Sequence, residues 1–181
     1  MKRTLLSLVL VTALLVPASL AFAVALPKPT DSTLKPPDSI AGVKLGMTEA
    51  KVKAAWGAGG ECNSSTEIAR CSYGDFEGSS GYAFVDFSGG KASSIAIYGG
   101  KNSAGDYAPK ATGSIAKMKT SGGIGIGSTF AALKKAFPKG KVEGSTSASA
   151  YNFSIAGKSG SKFSFGILGD SKKVYAVAMT D

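Results

Sequence analysis

The sequence predicts an α+β fold built from two tandem repeats, each a short helical segment packed on an antiparallel β-sheet. Three observations predict it. The strand-to-helix turn Val43-Lys44-Leu45-Gly46-Met47-Thr48 recurs 81 residues later as Ile124-Gly125-Ile126-Gly127-Ser128-Thr129. Helical periodicity follows each copy, and then runs of strand-forming residues divided by Gly/Ser turns. The connections between those runs are too short for parallel crossovers, so the strands pair antiparallel.

The elements follow in chain order. Lys2 and Arg3, the apolar run Leu5 to Val16, the breaker Pro17 and the small-x-small sequence Ala21-Phe22-Ala23 read as a signal peptide over 1–23. A second small-x-small site, Ala23-Val24-Ala25, allows a cut two residues later. The competing reading is a membrane anchor, which Pro17 and the cleavage pattern oppose. Residues 24–40 hold Pro27, Pro29, Pro36 and Pro37 and read as an extended linker. Repeat one spans 41–99, an inter-repeat linker 100–121, and repeat two 122–181.

Thr48 and Thr129 stand where an N-cap belongs, and Glu49 suits the positive end of the first helix. Met47, Val52, Ala55 and Trp56 share one helix face, as do Phe130, Leu133, Ala136 and Phe137. Gly57 and Pro138 end the two helices. Strands are expected at 66–73, 81–88 and 92–99, with a short one near Cys62, and in repeat two at 140–144, 148–156, 161–168 and 173–180. Ser88-Gly89-Gly90-Lys91 and Gly169-Asp170-Ser171-Lys172 are hairpin turns.

The pleat assigns faces. In 82–87, Tyr82, Phe84 and Asp86 point one way, and Ala83, Val85 and Phe87 the other. The charge of Asp86 argues that its face is not the one under the helix, which leaves Tyr82 and Phe84 exposed. At the 81-residue offset, Phe163, Phe165 and Ile167 fall on the equivalent face of repeat two. The alternatives are that the faces are reversed, or that the repeats bury these faces against each other.

Composition excludes several chemistries. The chain has 181 residues and no His, so a Ser-His-Asp or Cys-His pair cannot exist. Two Cys without His cannot make a zinc site of four Cys/His ligands within one chain. Gly123-x-Gly125-x-Gly127 lacks phosphate-loop spacing and is explained by the repeated turn. Cys62 and Cys71 fit an oxidising compartment and would close a loop of about ten residues; two free thiols are the alternative. Without Lys2 and Arg3 the chain keeps 19 basic and 12 acidic residues, net +7, spread thinly. Nucleic-acid readers cluster their basic residues, so no nucleic-acid partner is expected.

The Gly46-Met47-Thr48 start, the helix with Val52, the Gly57-to-Cys62 stretch, Cys71 and the Tyr82-Ala83-Phe84 strand together resemble the β-lactamase inhibitory protein (BLIP) family. The helix start is also similar to that of SmpA/OmlA-type envelope domains. The resemblance implies a secreted tandem repeat whose concave sheet grips a class A β-lactamase. It implies that Tyr82 and Phe84 contact the partner. The acidic residue reaching the enzyme would lie between Cys71 and Tyr82, with Asp75 and Glu77 as candidates. In repeat two, Phe165, Ile167 and Met179 stand at the family's sheet contacts, beside Phe163.

The expected function is therefore an exported, non-catalytic protein-binding module, an inhibitor in the reading the resemblance gives. Its partner would be a β-lactamase or another extracellular or periplasmic enzyme. It is expected to be monomeric, to use no cofactor or metal, and to meet membrane only through the signal peptide. The alternative is a structural, envelope-associated module that binds anionic surfaces through its basic charge.

Overall fold

The computed structural model describes residues 24–64 and 69–181. The signal peptide expected over 1–23 lies outside them, as do residues 66–68 of the first expected long strand. Among the described residues no helix is long and apolar enough to cross a membrane.

The chain forms an α+β structure around one eight-stranded sheet. The elements are β1 (Leu34–Lys35), β2 (Ser39–Ile40), α1 (Glu49–Trp56), β3 (Glu61–Asn63), β4 (Ala69–Gly74), β5 (Tyr82–Ser88), β6 (Lys91–Tyr98), α2 (Gly113–Lys117), α3 (Phe130–Ala136), β7 (Lys141–Glu143), β8 (Ala150–Ala156), β9 (Lys162–Leu168) and β10 (Lys173–Thr180). β1 and β2 make a small hairpin of their own. The large sheet runs β3-β4-β5-β6-β10-β9-β8-β7, with every neighbour antiparallel. Its first four strands come from the N-terminal half and its last four from the C-terminal half. β6 and β10 join them at the centre, from Tyr98 opposite Ala176 to Ser94 opposite Thr180.

The helices are two turns or less, too short to hold without packing. Each is anchored by large apolar side chains on the same face of the sheet. Val52 and Trp56 of α1, Ile115 of α2 and Leu133 of α3 all enter one core. Trp56 meets Tyr73 edge-to-face at 5.4 Å between ring centroids, and its indole N–H donates to the Ala41 carbonyl at 3.0 Å. Burying a side chain of this kind contributes roughly 1.5–3 kcal/mol. Thr129 caps α3 through its hydroxyl, which accepts from the Ala132 amide; Thr48 makes no such bond.

The turns before α1 and α3 are tied to the sheet in the same way. Gly46 N–H donates to Ala92 O at 2.8 Å, and Ala92 N–H donates to Met47 O at 2.8 Å. In the other half, Gly127 N–H donates to Val174 O at 2.8 Å, and Val174 N–H to Ser128 O at 2.9 Å. Each of these strands bulges one residue later, at Ser93 in β6 and at Tyr175 in β10. The Ser88–Lys91 hairpin closes on Gly89 and Gly90, both with positive φ, as a two-residue turn of this hand demands.

Two expectations change. The residues read as a linker over 24–40 are docked against the body. Leu34 and Ile40 are buried, Lys28 N–H donates to Trp56 O at 2.7 Å, and Leu34 N–H to Lys119 O at 2.9 Å. The prolines there mask a sparse set of apolar anchors. Likewise the segment 100–121 carries α2 and buries Ile115 and Met118.

The second change is a matter of register. Phe163, Phe165, Ile167 and Met179 belong to the core face and are at most 1% exposed. In β5 the core residues are Ala83, Val85 and Phe87, as read from the pleat. Phe87 pairs with Ala92 and Ile167 with Val174, the two residues tied to the pre-helix turns. That makes the strand offset 80 residues, whereas the helices keep 81. A one-residue slip turns every side chain to the other face. Phe163, Phe165, Ile167 and Met179 therefore cannot contact a partner on the open face.

Candidate functional site

With the helices on one side, the other face of the sheet carries no helix or strand among the described residues. Its N-terminal half is aromatic. Tyr82 and Phe84 of β5 stand beside Tyr98 of β6, and Phe76 and Tyr107 lean in from the loops 75–81 and 99–112. The bulge in β10 adds Tyr175. Ring centroids follow one another at 5.4 Å (Phe76–Tyr82), 5.9 Å (Tyr82–Phe84), 6.0 Å (Phe84–Tyr98), 5.4 Å (Tyr98–Tyr107) and 5.4 Å (Tyr107–Tyr175). These six rings form one strip of touching aromatic surface.

Its members differ in access. Phe76 is 45% exposed, Tyr82 only 9%, and the other four are half-buried. Tyr82 is covered by its neighbours, and its hydroxyl shares a hydrogen bond with Ser72 Oγ at 2.9 Å. Burial pushes the Tyr98 phenol above its ordinary range, with Tyr107 and Tyr175 adding to the effect. Tyr175 is raised for the same two reasons, burial first and then Tyr107.

Two cations brace the strip. The Arg70 guanidinium lies 4.1 Å from the Phe84 ring centroid while it grips both carboxylate oxygens of Asp86. The hydrogen bonds to Asp86, and its charge, raise the Arg70 pKa above its ordinary value. Lys101 Nζ lies 4.3 Å from the Phe76 centroid and donates to both oxygens of Glu77 at 2.8 Å. The C-terminal half of the face is small and polar by contrast. Lys162, Ser164 and Gly166 stand where Tyr82, Phe84 and Asp86 stand in the other half.

Of the residues singled out in the sequence, Tyr82 and Phe84 lie in the strip. Asp75 and Glu77 flank Phe76 in an exposed loop, where Asp75 Oδ1 accepts from the Glu77 amide at 2.9 Å. Glu77 is held by Lys101 beside the strip. Phe76, Tyr98, Tyr107, Tyr175 and Arg70 were not singled out. Tyr98 was accessible from the sequence, since it lies directly opposite Tyr82 in the β5–β6 hairpin. Tyr107 sits in a segment that reads as a linker, and the bulge at Tyr175 leaves no mark in the alternation.

Cys62 and Cys71 are bonded, and they face each other across β3 and β4. In the other half, Val142 and Phe153 hold the corresponding cross-strand place. Among the described residues, Glu49, Cys62 and Cys71 come within metal-ligating range of one another. The bond removes the thiolates a metal would need.

No protein-family model matches the chain, and no curated protein sequence does. Its structure is similar to that of an extracellular protein containing an SCP domain from Bacillus anthracis str. Ames, with 9% identity and a TM-score of 0.47. The match covers 76% of this chain and 44% of that one, so the chain spans less than half of that protein's length. A likeness this slight carries neither fold nor function across.

Proposed function

We propose that this protein is an exported, non-catalytic binding module that holds another protein against the open face of its sheet. The observation that carries the reading is the strip of six touching rings on a face that no helix among the described residues covers. Half-buried aromatics and a ring-stacked arginine are the residue types that dominate binding energy at protein interfaces. The strip is also pre-organised, because the sheet, the Arg70–Asp86 pair and the Lys101–Glu77 pair already fix it, which lowers the entropy lost on docking. The disulfide supports export, since such bonds persist in oxidising compartments.

Two tandem BLIP-like repeats form part of this proposal. Its support is the paired hydrogen bonds at Gly46 and Gly127, the matching bulges at Ser93 and Tyr175, and the helix-then-four-strands order of each half. The repeats would meet edge to edge through β6 and β10, and of the six rings in the strip only Tyr175 would come from the second. Inhibition of a class A β-lactamase is the particular activity that the sequence resemblance adds.

The test is capture of partners from the secreted or periplasmic fraction by the chain and by a Phe76→Ala, Phe84→Ala variant, alongside a β-lactamase inhibition assay. A specific partner lost in the variant and kept by a Lys117→Ala control on α2 supports the reading. Retention by the double variant contradicts it. A second reading, an envelope-associated module, rests on the excess of 19 basic over 12 acidic residues after residue 23. Salt-sensitive sedimentation with envelopes that ignores the double variant would favour it.

A further inference from the structure

At the β10 end of the aromatic strip, the surface falls into a cleft of about 460 Å³ lined by Asn102, Asp106, Tyr107, Asp170 and Tyr175, together with Ser149, Ala150 and Leu168. Its chemistry differs from the rest of this basic chain. Tyr107 and Tyr175 give it an aromatic wall, their centroids 5.4 Å apart. Asp106 and Asp170 are exposed, and neither forms an ion pair among the described residues, a state they share with Asp38, Glu61, Asp75 and Asp181. Lys101, whose Nζ lies 5.8 Å from the Tyr107 ring centroid, is already engaged by Glu77.

The cleft holds two carboxylates beside the hydroxyls of Tyr107 and Tyr175. Among the described residues no protein donor reaches either side-chain oxygen of Asp106, and one oxygen of Asp170 accepts from the Ser171 amide. Asn102 has spent its oxygen on the amides of Ala104 and Asp106. A guanidinium brings five N–H donors, a positive charge and a flat face that stacks on tyrosine.

We propose that this cleft is a subsite for a cationic side chain, an arginine, presented by the protein partner. The inference rests on the protein-binding reading and names what the partner must carry at one point. Charge complementarity, and continuity with the strip through Tyr107 and Tyr175, place the arginine at the edge of the docked surface.

The experiment is an NMR titration of the chain from residue 24 onward with acetyl-arginine amide and with acetyl-citrulline amide, which has nearly the same shape and no charge. The arginine probe should shift the amide signals of Tyr107, Asp170 and Tyr175 and bind at least about tenfold more tightly than citrulline. An Asp106→Asn, Asp170→Asn variant should lose that preference. Both carboxylates are exposed, so an unchanged melting temperature is the control for folding. Equal response to the two probes, full preference in the variant, or shifts with chitotriose but not with arginine would each overturn the proposal. Failure here with partner capture still sensitive to Phe76→Ala, Phe84→Ala removes the subsite alone. Success here with capture insensitive to that variant removes the sheet-face reading alone.

Discussion

The ring of Tyr175 lies directly over the backbone of Gly166. A Cβ at Gly166 would come 2.8 Å from Tyr175 Cε1 and 3.2 Å from the Ala176 Cβ. The bulge at Tyr175 and the glycine opposite it are thus one device, which turns a tyrosine onto the open face where it meets Tyr98 and Tyr107. Gly166→Ala should push that ring aside. The expected cost is about 1–3 kcal/mol of stability, typical of overpacking, read from urea denaturation, together with a weaker response of Tyr107 to the arginine probe. An alanine variant as stable as the parent, with an unchanged response, would contradict this account of the bulge.

The assignment of faces has a sharp consequence. Phe165 is fully buried and touches Phe137 and Phe163, whereas Phe84 is half-exposed under Arg70. Phe165→Ala should therefore cost about 3–5 kcal/mol, as core phenylalanines do. Phe84→Ala should cost about 1 kcal/mol and be felt mainly in binding. Equal losses of stability at the two positions would restore the register read from the helix offset.

Removing the disulfide by Cys62→Ser, Cys71→Ser should lower stability by roughly 2.5–3 kcal/mol in the chain-entropy estimate for so short a loop. The folded sheet should survive, because Val142 and Phe153 hold the matching place without a covalent bond. Circular dichroism with and without reductant measures both parts. A reduced chain that melts with the oxidised one would show that the bond adds nothing.

Alkaline pH should destabilise the fold through the strip. Burial raises Tyr98 and Tyr175 in the folded state, while an unfolded tyrosine titrates near pH ~10. The folded chain then binds more protons than the unfolded one above that pH, so stability is complete below it and falls as pH climbs toward the raised values. Phenolate absorbance of the native chain should lag that of the urea-unfolded chain. Coincident titration curves would contradict the burial of these phenols.

Much of the fold was legible because local signals agree with it. The N-terminal turns, Gly57 and the Gly89-Gly90 hairpin placed α1, α3 and most strands of the large sheet within about two residues, while α2 fell in a segment read as a linker. Pleat alternation put Val85 and Phe87 in the core correctly. The second half was misread because its strands are one residue out of step with its helix, and period-two patterns amplify one residue into a reversed face. In β9, Phe163, Phe165 and Ile167 alternate with Ser164 and Gly166. That alternation by itself puts the three apolar residues on the core face, and only the 81-residue helix offset points the other way. The strip was half legible. Tyr82 and Phe84 lie on one regular strand, but Phe76 and Tyr107 come from loops and Tyr175 from a bulge, and such placements follow tertiary packing rather than periodicity. The apolar residues at 26, 34, 40, 41 and 43 are too far apart to show a period, so a docked segment resembled a linker.

The most direct test of the central claim is the affinity of a captured partner for the parent chain and for the Phe76→Ala, Phe84→Ala variant, measured by titration calorimetry. A surface built on these rings predicts at least about a hundredfold loss, as for two interface hot spots, while Lys117→Ala changes nothing. Undiminished affinity in the double variant would contradict the claim that the open sheet face is where this protein works.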